Sequence, residues 1–174
     1  MNPSVSPQGR DRRDAPRVHH TRVRVRYAET DRMGFAYNAH YLTWFEVGRT
    51  EYMRALGLPY REVEERGYNL PLVEAGLKLR APVRYDDRIE IETRISETRS
   101  RTVTFAYRIL RTASQAKAAA GEGAIGDTAG QVKRSAGEDA AGEEILAEGF
   151  TKHACVQADT GRTATLPEWL SARL

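Results

Sequence analysis

Residues 27–57 read YAETDRMGFAYNAHYLTWFEVGRTEYMRALG, and this stretch decides the fold. Asn38 is a residue type that often caps a helix N-terminus, and Gly57 suits the position just past a helix end. Between them, large apolar residues recur at helical spacing and also occupy other faces, as Leu42, Phe45, Tyr52, Met53, Leu56, Tyr41, Trp44 and Val47. The pattern predicts a long helix that starts near Asn38, is capped by that side chain and is surrounded by protein on most sides.

A carboxylate lies seven residues before this helix start, at Asp31. The first turn of a helix carries backbone N–H groups without intrahelical partners and the positive end of the helix dipole, so it can hold an oxyanion. Asp31 is ionised at neutral pH and can attack a carbonyl or deprotonate water. Gly34 lets the intervening loop fold back, because it reaches backbone angles closed to other residues. Asp31 and the helix start at Asn38 therefore predict an acyl-transfer site.

Length and composition narrow the class of protein. A chain of 174 residues fits one domain with a substantial core. It has no apolar run that could span a membrane and no secretory signal, so we expect a cytoplasmic protein. The single cysteine, Cys155, excludes an internal disulfide framework and a Cys-rich zinc cluster. The histidines show no metal-ligand spacing, so no metal is predicted.

Two segments differ in composition from the rest. Residues 1–26 carry a net charge of +5, which leaves −2 for the remainder of the chain. Residues 1–16 are polar and aperiodic, so we expect a disordered basic tail rather than a nucleic-acid site, and a domain over 17–174. The stretch from about 113 to 144 holds ten alanines and six glycines. We expect it to be a disordered or loosely helical insertion between two paired strands.

Alternating apolar residues predict strands at 19–27, 88–98, 102–111 and 145–157, with another inside 69–84 that Gly76 and Pro82 interrupt. Short helices are predicted at 60–66 and 166–170. The turns between the strands indicate antiparallel pairing. A strand, a long apolar helix and then several antiparallel strands predict an α+β fold in which one curved sheet wraps around the central helix, which is the hotdog fold.

Several motifs follow one another along the chain. They are Tyr27-x-x-Thr30-Asp31-x-x-Gly34, Tyr37-Asn38-x-x-Tyr41, Glu46-x-x-Arg49, Pro71-Leu72-Val73-Glu74, Ala81-Pro82-Val83-x-Tyr85-Asp86-Asp87, and Gly161-Arg162 with Leu166-Pro167. In these motifs the chain resembles the hotdog thioesterases of the 4-hydroxybenzoyl-CoA thioesterase type, including the acyl-CoA thioesterases associated with the Tol-Pal system. The resemblance covers nearly the whole domain outside the tail and the insertion. Asn38 is a departure, because relatives often carry His or an aromatic residue there.

The resemblance implies a cofactor-free hydrolase of acyl-CoA thioesters that forms a homodimer or homotetramer. Asp31 would be the catalytic carboxylate, and the helix amide near Asn38 would polarise the thioester carbonyl. Whether Asp31 attacks carbon or activates water stays open. The acyl group, and the choice between CoA and acyl carrier protein as its carrier, stay open as well.

Further residues have both a structural and a functional interpretation. Tyr37 and Tyr41, with Gly34, are candidate substrate-binding residues, and both tyrosines also suit packing. Glu46 is a reserve base, although an ion pair with Arg49 three residues later is the commoner outcome. The hairpin tip Arg99-Ser100-Arg101 is a solvated turn or, as in relatives that use basic residues there, a grip on CoA phosphates.

Competing functions remain. A non-catalytic module on the same fold would bind acyl-CoA or acyl carrier protein without turnover. A nucleic-acid role would require an affinity that resides in the basic tail and falls steeply with salt. A hotdog dehydratase is disfavoured, because no His-containing hydratase motif stands at the corresponding place.

Overall fold

The structure is a computed structural model of the chain, and it describes residues 18–111, 137–138 and 144–174. The strands are β1 (His19–Arg24), β2 (Tyr68–Asn69), β3 (Leu72–Leu79), β4 (Arg88–Thr98), β5 (Thr102–Arg111), β6 (Gly137–Glu138), β7 (Glu144–Ala154) and β8 (Val156–Gln157). The helices are α1 (Ala39–Ala55), α2 (Tyr60–Glu65) and α3 (Glu168–Ser171), and a 3₁₀ turn spans Tyr27–Glu29. None of the helices among these residues is both long and apolar enough to cross a bilayer.

One antiparallel sheet in the order β1-β4-β5-β7-β3 forms the body, and β2 pairs with β8 in a small second sheet. Register shifts interrupt three of the pairings, at Ile95/Glu97, Ile109/Leu110 and Leu72/Glu74. Such irregularities bend strands and increase their twist. The sheet curves accordingly, and α1 packs against β1, β4 and β5. The predicted α+β hotdog architecture is present.

Apolar residues at alternate positions of β4 and β5 supply much of the core. Ile89, Ile91, Phe105 and Ile109 are fully buried, and α1 packs against both strands. Helix α1 buries Phe45 against this sheet, where its ring stacks on Tyr107 with centroids 4.3 Å apart.

The sheet, α2 and the 3₁₀ turn contact α1, but one face of the helix stays exposed. Leu42 and Glu46 are exposed on α1, so the prediction that protein surrounds most of the helix does not hold for the side that faces away from the sheet. The five-stranded path of a single chain covers one helix face and leaves the other to solvent.

Two glycines allow aromatic rings to pack closely at the β3–β7 boundary. A Cβ at Gly149 would lie 2.5 Å from the Phe45 ring and 2.4 Å from the Gly76 carbonyl oxygen. A Cβ at Gly76 would lie 2.3 Å from the Phe150 ring. Strand β3 therefore runs through Gly76 without the predicted interruption, because the Phe150 ring occupies the space that a side chain would take.

The predicted insertion connects β5 to β7, which pair along their whole length from Thr102↔Ala154 to Arg111↔Glu144. Most of the segment lies outside the described residues, as does the predicted tail at 1–16. Gly137 and Glu138 form β6 and pair with Ile145 and Glu144, so these two residues are extended rather than helical. At the C-terminus, Trp169 packs on Tyr68 and under the Arg66 guanidinium, as expected for a docking segment.

Candidate active site

The loop that carries Asp31 is a tight, hydrogen-bonded turn. The Asp31 N–H donates to the Phe35 carbonyl at 2.9 Å, the Gly34 N–H donates to the Asp31 carbonyl at 3.0 Å, and Thr30 pairs with Ala36. Gly34 has a φ of +76°, a left-handed value that favours glycine. The predicted role of Gly34 in folding the loop back is confirmed, and the loop leads directly into α1.

Glu29 fastens this loop to the helix, a role that the sequence did not reveal. Its carboxylate is buried and accepts hydrogen bonds from the Arg26 backbone N–H at 2.7 Å, the Arg26 guanidinium at 2.9 Å and the Trp44 indole at 3.2 Å. Burial raises the pKa of Glu29, but these hydrogen bonds outweigh burial and hold the pKa below its usual value. Glu29 therefore remains ionised and ties the 3₁₀ turn to the first half of α1.

The start of α1 differs from the sequence prediction. Asn38 already has helical angles, φ −54° and ψ −30°, and its side chain makes no capping hydrogen bond. The N–H groups that it would cap, on His40 and Tyr41, donate instead to the carbonyls of Tyr37 and Asn38 at 3.0 and 3.3 Å. The predicted N-cap role of Asn38 is therefore wrong.

Two backbone donors stay open at this helix start. Among the described residues, the N–H groups of Asn38 and Ala39 have no hydrogen-bond acceptor. Unpaired amides at a helix N-terminus attract negative charge, because they add to the positive end of the helix dipole. Backbone donors without acceptors among the described residues therefore lie where the oxyanion site is predicted, and their role in holding an oxyanion stays a prediction.

A cleft of about 280 Å³ opens directly beside these amides. It lies between the first turn of α1 and the middle of edge strand β3, and its lining is Tyr37, Asn38, Ala39, Leu42, Ala75, Gly76 and Leu77. The walls are mainly apolar, and the first helical residues Asn38 and Ala39 belong to the lining. A cleft of this kind suits an apolar group that carries one carbonyl.

Asp31 does not line the cleft. Its carboxylate is exposed, and Oδ1 accepts a hydrogen bond from the Met33 N–H at 2.8 Å within its own loop. The carboxylate thus sits in the loop that enters the cleft rim at Tyr37, whose N–H donates to the Glu29 carbonyl. Chemically, Asp31 offers an exposed anionic oxygen in the loop before the helix and outside the residues that line the apolar cleft.

The other predicted residues divide between the cleft and the core. Tyr37 is 54% exposed and lines the cleft. Tyr41 is only 2% exposed and packs on Trp44, so it belongs to the core and is no part of the cleft wall. Glu46 is exposed, and no ion pair joins it to Arg49 in the described part of the chain; the Arg49 guanidinium turns inward and lies 5.0 Å from the Tyr60 ring centre.

The hairpin tip at residues 99–101 is tied to its neighbours. Arg99 forms an ion pair with Glu97 at 2.8 Å. The carbonyls of Ser100 and Arg101 accept hydrogen bonds from the Leu166 and Cys155 N–H groups. All three side chains are exposed, so the tip can serve as a structural turn, and its contact with CoA phosphates stays a prediction.

A buried polar network lies behind the site. The His153 Nδ1–H donates to the Leu70 carbonyl at 2.8 Å, so Nε2 accepts from the Thr151 hydroxyl at 2.9 Å, and the Tyr107 hydroxyl donates to Thr151 at 2.7 Å. Burial and the nearby Arg49 guanidinium lower the pKa of His153 to about 4. Burial also raises the pKa of Tyr107. The network is therefore neutral at physiological pH, apart from Arg49.

The fold is the hotdog fold, and the loop that carries Asp31 leads into the helix whose first residues line the cleft. The chain belongs to the thioesterase-like superfamily, whose family model matches residues 25–174. This confirms the predicted thioesterase class and the resemblance from which it was drawn.

Individual proteins agree with this assignment. YneP of Bacillus subtilis, named as a candidate acyl-CoA thioesterase, is 36% identical over 93 residues, which cover 53% of this chain and 67% of YneP. A hypothetical protein from Thermus thermophilus superposes with a TM-score of 0.69 at 35% identity, covering 89% of this chain and 95% of that one. A 4-hydroxybenzoyl-CoA thioesterase solved with 4-hydroxybenzoyl-CoA shares the fold, with a TM-score of 0.68 at 19% identity over 91% of this chain and 99% of that one.

Proposed function

We propose that the protein hydrolyses acyl-CoA thioesters to a free acid and CoA. The observation that carries the proposal is that Asn38 and Ala39, whose N–H groups have no acceptor among the described residues, line a mainly apolar cleft at the end of the loop that holds Asp31. Acyl transfer needs donors for the oxygen that becomes negative, a pocket for the acyl group and an anionic oxygen beside the carbonyl carbon. The membership in the thioesterase-like superfamily supports the same reaction.

In the proposed mechanism, the acyl group enters the cleft between Leu42 and Leu77, and the thioester stays at the rim. The carbonyl oxygen accepts hydrogen bonds from the Asn38 and Ala39 amides, which stabilise the negative charge of the tetrahedral intermediate. Asp31 either attacks the carbonyl carbon to form a mixed anhydride that water then cleaves, or takes a proton from the attacking water. In both routes the C–S bond breaks, CoA leaves as the thiolate, and one water is consumed.

The roles of the remaining residues follow from their positions. Tyr37, exposed on the cleft rim, contacts the substrate, and Gly34 keeps the loop closed by its left-handed conformation. Tyr41 supports the helix from the core. Glu46 is exposed two turns along α1 and outside the cleft lining, so it is only a reserve base.

The experiment is a measurement of free-thiol release from a panel of acyl-CoAs that ranges from short aliphatic to aromatic acyl groups. Wild-type protein should release thiol, and Asp31→Asn should not. Saturable binding of acyl-CoA with no thiol release from any member of the panel would instead identify a non-catalytic binding module.

The finer proposals concern assembly and location. Edge strand β3 exposes Leu72, Val73 and Leu77, and an exposed apolar edge strand is a template for pairing with another chain. We therefore propose a homodimer or homotetramer that covers this edge, which sedimentation of wild-type protein against Val73→Lys would test. Placement in the cytoplasm stays a prediction that cell fractionation would test.

A further inference from the structure

Two tyrosine rings near the site are exposed to an unusual degree. Tyr27 is 78% exposed and Tyr85 is 58% exposed, and their rings meet edge to face with centroids 5.7 Å apart. Large rings at the surface of a folded chain mark a contact with something else when they cluster. The pair stands beside the proposed catalytic loop, because the Tyr27 carbonyl accepts from both the N–H and the hydroxyl of Thr30, the residue before Asp31.

The backbone under these rings is fixed. The Val25 N–H donates to the Asp87 carbonyl at 2.9 Å, and the Asp86 N–H donates to the Val25 carbonyl at 2.9 Å. The Ala36 N–H also donates to the Val83 carbonyl at 2.8 Å, so a backbone hydrogen bond joins the Asp31 loop to the Tyr85 segment. The two rings thus form a preformed platform, which we call the tyrosine platform.

Within the described residues, a cation without a carboxylate partner directly precedes Tyr85 in the chain. The Arg84 guanidinium lies 4.8 Å from the ring centre of Phe35, a residue of the loop that holds Asp31, and within the described ranges it forms no ion pair. Its neighbours are occupied, since Arg24 pairs with Asp86 and Arg26 pairs with Glu29. Arg84 is therefore available to an incoming anion.

We infer that the tyrosine platform binds the adenine nucleotide end of acyl-CoA, with a base stacked on Tyr27 or Tyr85 and a phosphate on Arg84. The inference rests on the proposed function and specifies its substrate as the CoA thioester rather than the acyl-carrier-protein thioester. Exposed aromatic faces beside a guanidinium are the chemistry that binds a base and its phosphate. An apolar partner fits less well, because both rings carry hydroxyl groups and the Arg84 cation directly precedes Tyr85 in the chain.

The tyrosine platform is also a better candidate for binding the CoA nucleotide than the hairpin tip at residues 99–101. Arg99 already holds Glu97, and the described surroundings of the tip include no exposed aromatic pair. The flexible pantetheine arm would connect the platform to the thioester at the cleft rim. The acyl-carrier protein shares that arm but has no adenine, so the platform would discriminate between the two carriers.

The test compares one acyl group on two leaving thiols, CoA and N-acetylcysteamine, which lacks the nucleotide. Tyr27→Ala, Tyr85→Ala and Arg84→Ala should each raise KM for acyl-CoA about tenfold, in line with the loss of one stacking contact or charged contact. Hydrolysis of the N-acetylcysteamine thioester should change less than about twofold, because that substrate makes no platform contact. Tyr85→Phe retains the ring and should retain KM.

Specific results would overturn the inference. They are equal changes on both substrates, a KM effect that appears in Arg101→Ala and not in the platform variants, or an altered sedimentation mass that makes the platform a contact between copies. If wild-type protein hydrolyses neither thioester, the proposed function fails by itself. Titration with adenosine 3′,5′-bisphosphate then still decides the inference, because wild type should bind it and Arg84→Ala should bind it about tenfold more weakly.

Discussion

The two halves of α1 present opposite environments. In its first turn the amides of Asn38 and Ala39 are unpaired and the neighbouring side chains are exposed. Two turns later the same helix inserts Arg49 into the core, beside a continuous chain of hydrogen bonds that runs through Tyr107 and His153. Among the described residues, the Asn38 and Ala39 N–H groups at the start of the helix have no acceptor. Around Arg49, nearly all buried polar groups have hydrogen-bond partners. The proposed chemistry uses the exposed start of the helix, whereas buried residues of both halves, among them Phe45 and Arg49, build the core.

The exception at the buried end is informative. Arg49 is 8% exposed, and its Nη1 has no hydrogen-bond partner among the described residues. A buried guanidinium that is held by a ring face instead of a carboxylate is costly to keep charged. The positive charge of Arg49 disfavours a second positive charge nearby, and together with burial it lowers the pKa of His153. The comparison between the two halves can therefore be tested by removing the charge of Asp31 before the helix start and by titrating His153 beside the buried end.

Asp31→Asn should give the largest effect, on the open half. The proposed mechanism loses its anionic oxygen, so kcat/KM for a good acyl-CoA should fall about 10²–10⁴-fold. The free energy of unfolding should change little, because the side chain is exposed and its hydrogen bond to the Met33 N–H can be accepted by the Asn carbonyl oxygen. Thiol-release kinetics and thermal unfolding measure the two quantities. If Asp31→Asn hydrolyses acyl-CoA as fast as wild type, Asp31 has no catalytic role and the proposed mechanism is wrong.

The buried half should respond to pH. With a folded pKa of about 4 and an unfolded pKa of about 6.5, the unfolded chain binds the His153 proton first as pH falls. The contribution of His153 to stability is therefore full well above pH 6.5 and is lost as pH falls through 6.5 toward 4, by about 3 kcal/mol in total. Denaturant unfolding at several pH values measures this.

The control for that prediction is His153→Gln, which retains a donor and an acceptor but cannot titrate. Its stability should be flatter between pH 6.5 and 4.5. Glu29 and Glu90 have pKa values below the usual 4.5 and add a loss of the same sign only below that pH. Identical slopes for both proteins above pH 4.5 would show that His153 is not the titrating group.

Glu29→Gln tests the contact that joins the 3₁₀ turn to the first half of α1. The buried carboxylate accepts three hydrogen bonds, and an amide would turn an NH₂ group toward donors. We expect a loss of about 2 kcal/mol in stability, or about 4–8 °C in Tm. Glu46→Gln is the matched surface control and should unfold like wild type, as measured by calorimetry.

Asn38→Ala should give the smallest effect. A true N-cap would cost about 1 kcal/mol on replacement, but this side chain makes no capping bond, so we expect a change within about 0.5 kcal/mol. The oxyanion donors are backbone groups, so kcat/KM should remain within about threefold. A large loss of rate at unchanged stability would mean that the side chain itself contacts the substrate.

Much of the fold follows from local pattern. Strands β4 and β5 have the bounds that alternation and turn residues predict, and α1 begins within a residue of its predicted start. These elements were predictable because every local preference agrees with the final structure. Strand β3 was less so, since its continuity through Gly76 depends on Phe150, a residue far along the chain.

The site was less predictable, because several of its side chains and amides choose between alternative hydrogen-bond and packing partners. Asn38 does not cap the helix, since the carbonyls of Tyr37 and Asn38 reach the same amides first. Arg49 leaves Glu46 for the ring of Tyr60, which sequence spacing cannot indicate. The burial of Glu29 likewise follows from Trp44, fifteen residues later. A carboxylate between two loop residues gives no local signal of burial.

The paired glycines of β3 and β7 restrict how this protein can diversify. A methyl group at Gly76 requires a smaller ring at position 150, because the Phe150 ring fills that space. A methyl group at Gly149 would meet both the Phe45 ring and the Gly76 carbonyl oxygen, so a smaller ring alone would not make room for it. Position 76 can therefore change together with position 150, whereas position 149 is restricted to glycine as long as β3 and β7 keep this pairing.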